Sequence, residues 1–176
     1  MDEQIILAVD EKGDFKGEYI PRMVGHTGKG KKHLAVTVLL ENDKQEVLLQ
    51  RRKHKVFNDI WDMTASTHQL HKKDGSNETS EEATLRALQN EYGITKLESL
   101  KEIGVIDYFA QYGDYCENEH DIILVGKYNG PIILNPKTAY EYDWVDKKAF
   151  LLDIEQNPAK YSPWAKEAVK LFSINS

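Results

Sequence analysis

The alternation of apolar and polar positions divides the chain into short strands with three helices set among them. Gln4–Val9 (QIILAV) is an apolar, β-branched run and is predicted to be a strand. Turn chemistry at Asp10–Asp14 leads to a hairpin partner at Phe15–Ile20, and Pro21–Lys32, with three glycines, is predicted to be a loop. His33–Leu40 (HLAVTVLL) has the composition of a buried strand, and Asn42–Lys44 turns it into a return strand, Glu46–Gln50, ending at Arg51 and Arg52. Lys53–Asp59 is a polar loop leading to Ile60 and Trp61, and His68–Asn77 has no hydrophobic period, so it too is a loop. Thr79 followed by Glu82 fits a capping box, in which hydroxyl and carboxylate satisfy free amides at a helix start. Ala83, Leu85, Leu88 and Tyr92 recur near a 3.6 period, and Gly93 stands where a left-handed cap closes that helix.

Further strands are predicted at Leu100–Tyr108, Asp121–Tyr128 and Tyr140–Val145, the first two separated by a Gly- and Tyr-containing connection. Lys147–Glu155 is predicted to be a short helix. Ser162 as N-cap with Pro163 after it opens the last one, with Trp164, Ala168, Leu171 and Phe172 on its inner face. This order predicts one α+β domain spanning 1–176, with no repeat or interdomain linker.

Composition narrows the function. The 176 residues carry a net charge of −6 and no long block of one sign, which argues against nucleic-acid binding. Lys29–Lys32 reads as a solvated loop. Cys116 is the lone cysteine, so no intrachain disulfide forms, and a reducing, cytoplasmic setting is expected. The acidic start with its short apolar run resembles neither a signal peptide nor a membrane span.

Six residues could ligate metal: His26, His33, His68, Glu91, Glu117 and Glu119. In an extended segment residues two apart share a face, so Glu117 and Glu119 would present adjacent carboxylates, which a cation would compensate. Imidazoles with carboxylates suit a divalent transition metal, and a separate carboxylate suits Mg²⁺ carrying a phosphate. Taken alone, each has an ordinary alternative: a structural histidine, or a solvated glutamate.

The residues together resemble the Nudix superfamily, and within it the type 1 isopentenyl-diphosphate isomerases. The matching stretches are VDEKGDFKGE, His26 and His33 with HLAVTVLL, LLQRR, IWDMTASTH, EEATLRALQNEYGI, ENEHDIILVG and SPW. The resemblance implies a Nudix fold, a mixed β-sheet sandwiched between helices. It implies one metal (Mn²⁺ or Zn²⁺) held by His26, His33, His68, Glu117 and Glu119, and Mg²⁺ with the diphosphate at Glu91. It further implies Glu119 and Tyr108 in proton transfer, Ser66 at the opposite face of the substrate, and Trp164 over a cation-like intermediate. Arg22, Arg52 and Lys55 are the candidate cations for the diphosphate. The expected partner is a small diphosphate, with no nucleic acid or membrane, and the protein a monomer or homodimer.

Two departures define the alternatives. In the Nudix box G-x5-E-x7-R-E-U-x-E-E-x-G-U, Glu78, Arg86, Leu88, Glu91, Gly93 and Ile94 fit, whereas Lys72, Ala87 and Asn90 replace the first glycine and two glutamates. Pyrophosphohydrolysis relies on several carboxylates there, so the single Glu91 points towards the isomerase-like branch. Ser66 stands where those isomerases carry cysteine, and a serine hydroxyl is a poorer acid or base than a thiol. A pyrophosphohydrolase acting on another diphosphate, and a non-catalytic diphosphate binder, therefore stand beside the isomerase reading.

Overall fold

The computed structural model describes residues 3–174. The strands are β1 (Ile5–Val9), β2 (Phe15–Pro21), β3 (His33–Glu41), β4 (Glu46–Arg52), β5 (Trp61–Asp62), β6 (Ala65–Thr67), β7 (Ser99–Tyr112), β8 (Tyr115–Lys127) and β9 (Ala139–Asp146). The helices are α1 (Arg22–Gly25), α2 (Ser80–Tyr92), α3 (Lys147–Gln156) and α4 (Pro163–Ile174).

β3 is the hub of the sheet. It runs parallel to β8 from His33↔Glu119 to Glu41↔Lys127, and antiparallel to β6 at Val36–Val38. The expected β3–β4 hairpin is in register only at Glu41↔Val47. Beyond the turn β4 leaves to pair with β9 and β5, so the sheet splays into two arms. Period-2 alternation sends side chains to opposite faces. Val36, Val38 and Leu40 of β3 pack under α2 with Ala83, Ala87, Leu88 and Tyr92. Leu39 faces the other way with Val47, Leu49 and Ile123, against Phe150 of α3 and Trp164, Ala168 and Phe172 of α4. The sheet therefore lies between helices on both faces, as expected.

The predicted caps form. Thr79 Oγ1 accepts from the Glu82 amide at 3.1 Å, Glu82 returns a bond to the Thr79 amide at 2.9 Å, and Gly93 closes α2 at φ 69°. The connection expected between Tyr108 and Asp121 is instead part of a long hairpin, β7 and β8, turned tightly at Gly113 (φ 58°). β7 contains the strand expected at Leu100–Tyr108 and runs four residues beyond it, where Phe109 and Tyr112 are exposed. Arg22–Gly25 is a helical turn inside the expected loop.

Candidate active and metal site

The five clustered candidate ligands come from four parts of this frame. His26 follows α1, His33 opens β3, His68 follows β6, and Glu117 and Glu119 lie two apart on β8. The parallel register that pairs His33 with Glu119 fixes β3 against β8, while β6 on the other edge of β3 brings in His68. One donor atom from each of the five residues lies within 4.8 Å of the others, and all five side chains are buried or nearly so.

The contacts inside this cluster suit residues that could hold a metal. His26 Nδ1–H donates to the Arg22 carbonyl and His33 Nδ1–H to the Lys31 carbonyl, both at 2.7 Å. Those bonds leave the Nε2 lone pairs facing inward, the arrangement by which backbone carbonyls orient metal-binding imidazoles. His26 Nε2 lies 3.1 Å from His68 Nε2 and 3.0 Å from Glu117 Oε2. Glu119 Oε1 lies 3.0 Å from His68 Nε2 and 3.4 Å from His33 Nε2. His33 Nε2 and Glu117 Oε2, though 3.4 Å from Glu119 Oε1 and 3.0 Å from His26 Nε2 respectively, are buried without a hydrogen bond of regular geometry. Facing lone pairs, adjacent carboxylates and two such atoms fit a divalent cation held by three nitrogens and two carboxylates.

Electrostatics in the cluster follow from burial and proximity. Burial pushes the His68 imidazole down to about 3, so it is neutral and able to ligate at pH 7. Burial works against a proton on His26, but the Glu117 carboxylate and the Arg22 carbonyl outweigh it and hold this ring above its ordinary value. Burial and the neighbouring Glu119 push Glu117 up, whereas His33 and His68 hold Glu119 well below the usual carboxylate range despite its burial.

Above the cluster opens a cleft of about 520 Å³, lined among others by Arg22, Arg52, Ser66, Tyr108, Glu91 and Trp164. The Tyr108 hydroxyl donates to Glu119 Oε2, and the Tyr108 ring centroid lies 6.0 Å from that of Trp164. Trp164 is buried, with the Arg52 guanidinium carbon 4.7 Å from its ring centre. Ser66 Oγ lies 3.0 Å from Thr37 Oγ1, which in turn lies 2.8 Å from Asp121 Oδ2. Burial pushes the Asp121 carboxyl well above the usual range, and the chain Asp121–Thr37–Ser66 leads from the core to the cleft wall. Glu91 is buried, takes a 3.2 Å bond from Gln50 Nε2, and is pushed up to about 8 by desolvation. Lys55 is not among the lining residues; its ammonium is exposed and sits 4.5 Å from the centre of the Tyr115 ring.

The Nudix domain family profile matches residues 31–165. The chain belongs to the Nudix family. An Aromatoleum aromaticum protein named isopentenyl-diphosphate Delta-isomerase 2 is 30% identical over 167 residues, spanning 93% of this chain and 83% of its own. A Photobacterium profundum isopentenyl-diphosphate Delta-isomerase is 31% identical over 179 residues, spanning 97% and 94%. Among solved structures, the Deinococcus radiodurans protein DR0079 superposes with a TM-score of 0.63 at 16% identity, over 87% of this chain and 90% of that one. A MutT protein from Methanosarcina mazei superposes at 0.61 and 22%, over 82% and 96%; at such identities the likeness concerns the fold alone.

In this Nudix protein two residues of the box hold the site in shape. Glu78 takes Arg86 in a two-pronged pair (2.7 and 2.9 Å), and Arg86 Nη2 also donates to the His68 carbonyl at 2.7 Å. That clamp ties the segment carrying His68 to α2. The same helix offers Ala87, Asn90 and Glu91 to the cleft, so Glu91 is the carboxylate it contributes there. Sequence reasoning missed Thr37, Asp121 and His54. Thr37 and Asp121 carry a signal: each is a polar residue in an otherwise apolar strand run. His54 carries none.

Proposed function

We propose that this Nudix protein interconverts isopentenyl and dimethylallyl diphosphate by allylic proton transfer. The single observation that carries the reading is the position of Glu119. One of its oxygens faces the His33 and His68 nitrogens, and the other takes the Tyr108 hydroxyl at the floor of the cleft. A carboxylate so placed can answer to a metal on one side and to a substrate carbon on the other. The relatives named isopentenyl-diphosphate Delta-isomerase, similar over nearly the whole chain, support the same reading.

His26, His33, His68, Glu117 and Glu119 would hold a divalent metal, and Glu91 the Mg²⁺ that accompanies a diphosphate. When bound, these ions supply positive charge that keeps the carboxylates ionised and screens the diphosphate. The reaction itself moves protons. A C–H bond forms at the terminal alkene carbon and another breaks at the allylic carbon, so no net proton is consumed. Glu119, with Tyr108 as its hydrogen-bonded partner, serves one face of the substrate. Ser66, backed by Thr37, occupies the other. Trp164 supplies an aromatic wall suited to the cation-like species between the two transfers. Arg22 and Arg52 line the cleft as the cations for the diphosphate.

One incubation tests the reading against its rivals. Purified protein with Mg²⁺, Mn²⁺ and isopentenyl diphosphate should yield dimethylallyl diphosphate with no phosphate released. Release of phosphate without isomer would replace the proposal with a pyrophosphohydrolase. Tight binding with neither product would replace it with a diphosphate-binding protein.

A further inference from the structure

The cleft wall holds one polar group that the proposed reaction leaves unused. His54 lies in the loop after β4 and lines the cleft, and its Nε2 is buried with no hydrogen-bond partner. Buried polar atoms in native structures are nearly always satisfied, and in a ligand cleft the missing partner is naturally the ligand. The loop itself is held in place: the His54 amide donates to Asn58 Oδ1 at 3.2 Å, and Arg52 Nε donates to the Phe57 carbonyl at 3.3 Å.

The charges around His54 say what kind of ligand group it meets. Arg52 and Arg22 both stand near enough to oppose a proton on its ring, so the imidazole faces the part of the cleft where positive charge gathers. Yet that charge is largely committed already. Arg52 is paired with buried Asp62 at 2.8 Å and Arg86 with Glu78 at 2.7 Å, whereas Arg22, among the described residues, is paired with no carboxylate and meets Gln4 Oε1 at 3.4 Å. Glu91, Glu117 and Glu119 line the same cleft. With Arg52 shared with Asp62, the Arg22 and Arg52 guanidiniums leave several oxygens of a diphosphate in need of further donors.

We propose that His54 is an anion-binding residue, donating from Nε2–H to a phosphoryl oxygen of the bound diphosphate beside Arg22, and taking no part in proton transfer. A neutral imidazole suffices, because the tautomer carrying its hydrogen on Nε2 is a donor there. This rests on the diphosphate reading of the cleft. It assigns to the loop after β4 a contact that Lys55, turned towards Tyr115, does not make.

Titration calorimetry with inorganic pyrophosphate at fixed free Mg²⁺, on wild type, His54→Leu and His54→Gln, tests it. The glutamine amide nitrogen reaches about as far as Nε2, so His54→Gln should keep most of the affinity, whereas His54→Leu should bind on the order of tenfold more weakly. With isopentenyl diphosphate, His54→Leu should raise KM by a similar factor and leave kcat unchanged. Equal affinity in wild type and His54→Leu overturns the inference while the diphosphate reading survives. Equal loss in both variants with unchanged melting temperatures overturns it too, because the loss then has nothing to do with a donor at Nε2. If wild type binds neither compound, the diphosphate reading fails first and this inference falls with it.

Discussion

Removing divalent metal should lower the melting temperature of this protein by several degrees. Five donor atoms sit within 4.8 Å of one another, with two imidazole nitrogens 3.1 Å apart and two carboxylates two residues apart on one strand. Without a cation, these groups repel or go unsatisfied; with one, each becomes a ligand. At an ion concentration a hundredfold above the dissociation constant, linkage to folding gives about 2.7 kcal/mol. For a chain of this length each kcal/mol moves the melting temperature by roughly 2–4 °C, so the shift should be about 5–11 °C. The assay is thermal unfolding after chelation and dialysis, followed by titration of Mn²⁺ or Zn²⁺, on wild type and on His33→Ala. The affinity should also fall towards acid pH. His26 is held above its ordinary value, chiefly because Glu117 outweighs burial, so below that point a proton must leave before the metal enters. His68, pushed down to about 3, adds no such competition near neutrality. A melting temperature that metal moves by less than about 1 °C, or an equal response in His33→Ala, refutes the reasoning.

Two other substitutions bear on the account. Ser66→Cys should raise the isomerisation rate, because a thiol titrates closer to neutral pH than a hydroxyl, and general acid–base groups are worth about 10²–10⁴ in rate; Ser66→Ala should lower it, and initial rates of dimethylallyl diphosphate formation decide. Asp62→Ala should destabilise the fold by about 3–5 kcal/mol in urea titrations. The substitution strips buried Arg52 of its 2.8 Å partner and Ser162 of its 2.7 Å acceptor, and an unchanged midpoint would show that pair to be dispensable.

What the sequence disclosed depended on how local each cause is. The ends of α2 were legible because Thr79, Glu82 and Gly93 act within a turn or two of themselves. β3 was legible because both its faces are buried, which leaves a continuous apolar run. β7 was legible only as far as Tyr108: the strand expected at Leu100–Tyr108 forms, but its continuation to Tyr112 was not read, since it lies at an edge where Phe109 and Tyr112 are as exposed as many polar residues. The β3–β4 hairpin was recognised, but not its opening, because β8, β6 and β9 compete for the same edges from distant parts of the chain. The site divides in the same way. Spacing alone could not separate His26, His33 or Glu117 from ordinary surface residues, and resemblance to a family was what joined them. The committed state of Arg52 and the orphaned Nε2 of His54 are properties of three-dimensional packing, with no counterpart in the order of residues.

The central claim, that this Nudix cleft moves a proton on and off an isopentenyl carbon skeleton, is tested most directly by deuterium exchange. Metal-loaded protein incubated with isopentenyl diphosphate in heavy water should place deuterium in both isomers, read by nuclear magnetic resonance. Glu119→Gln should abolish the signal while still binding diphosphate. No deuterium incorporation by the metal-loaded wild type, under conditions where it binds the substrate, would contradict the account.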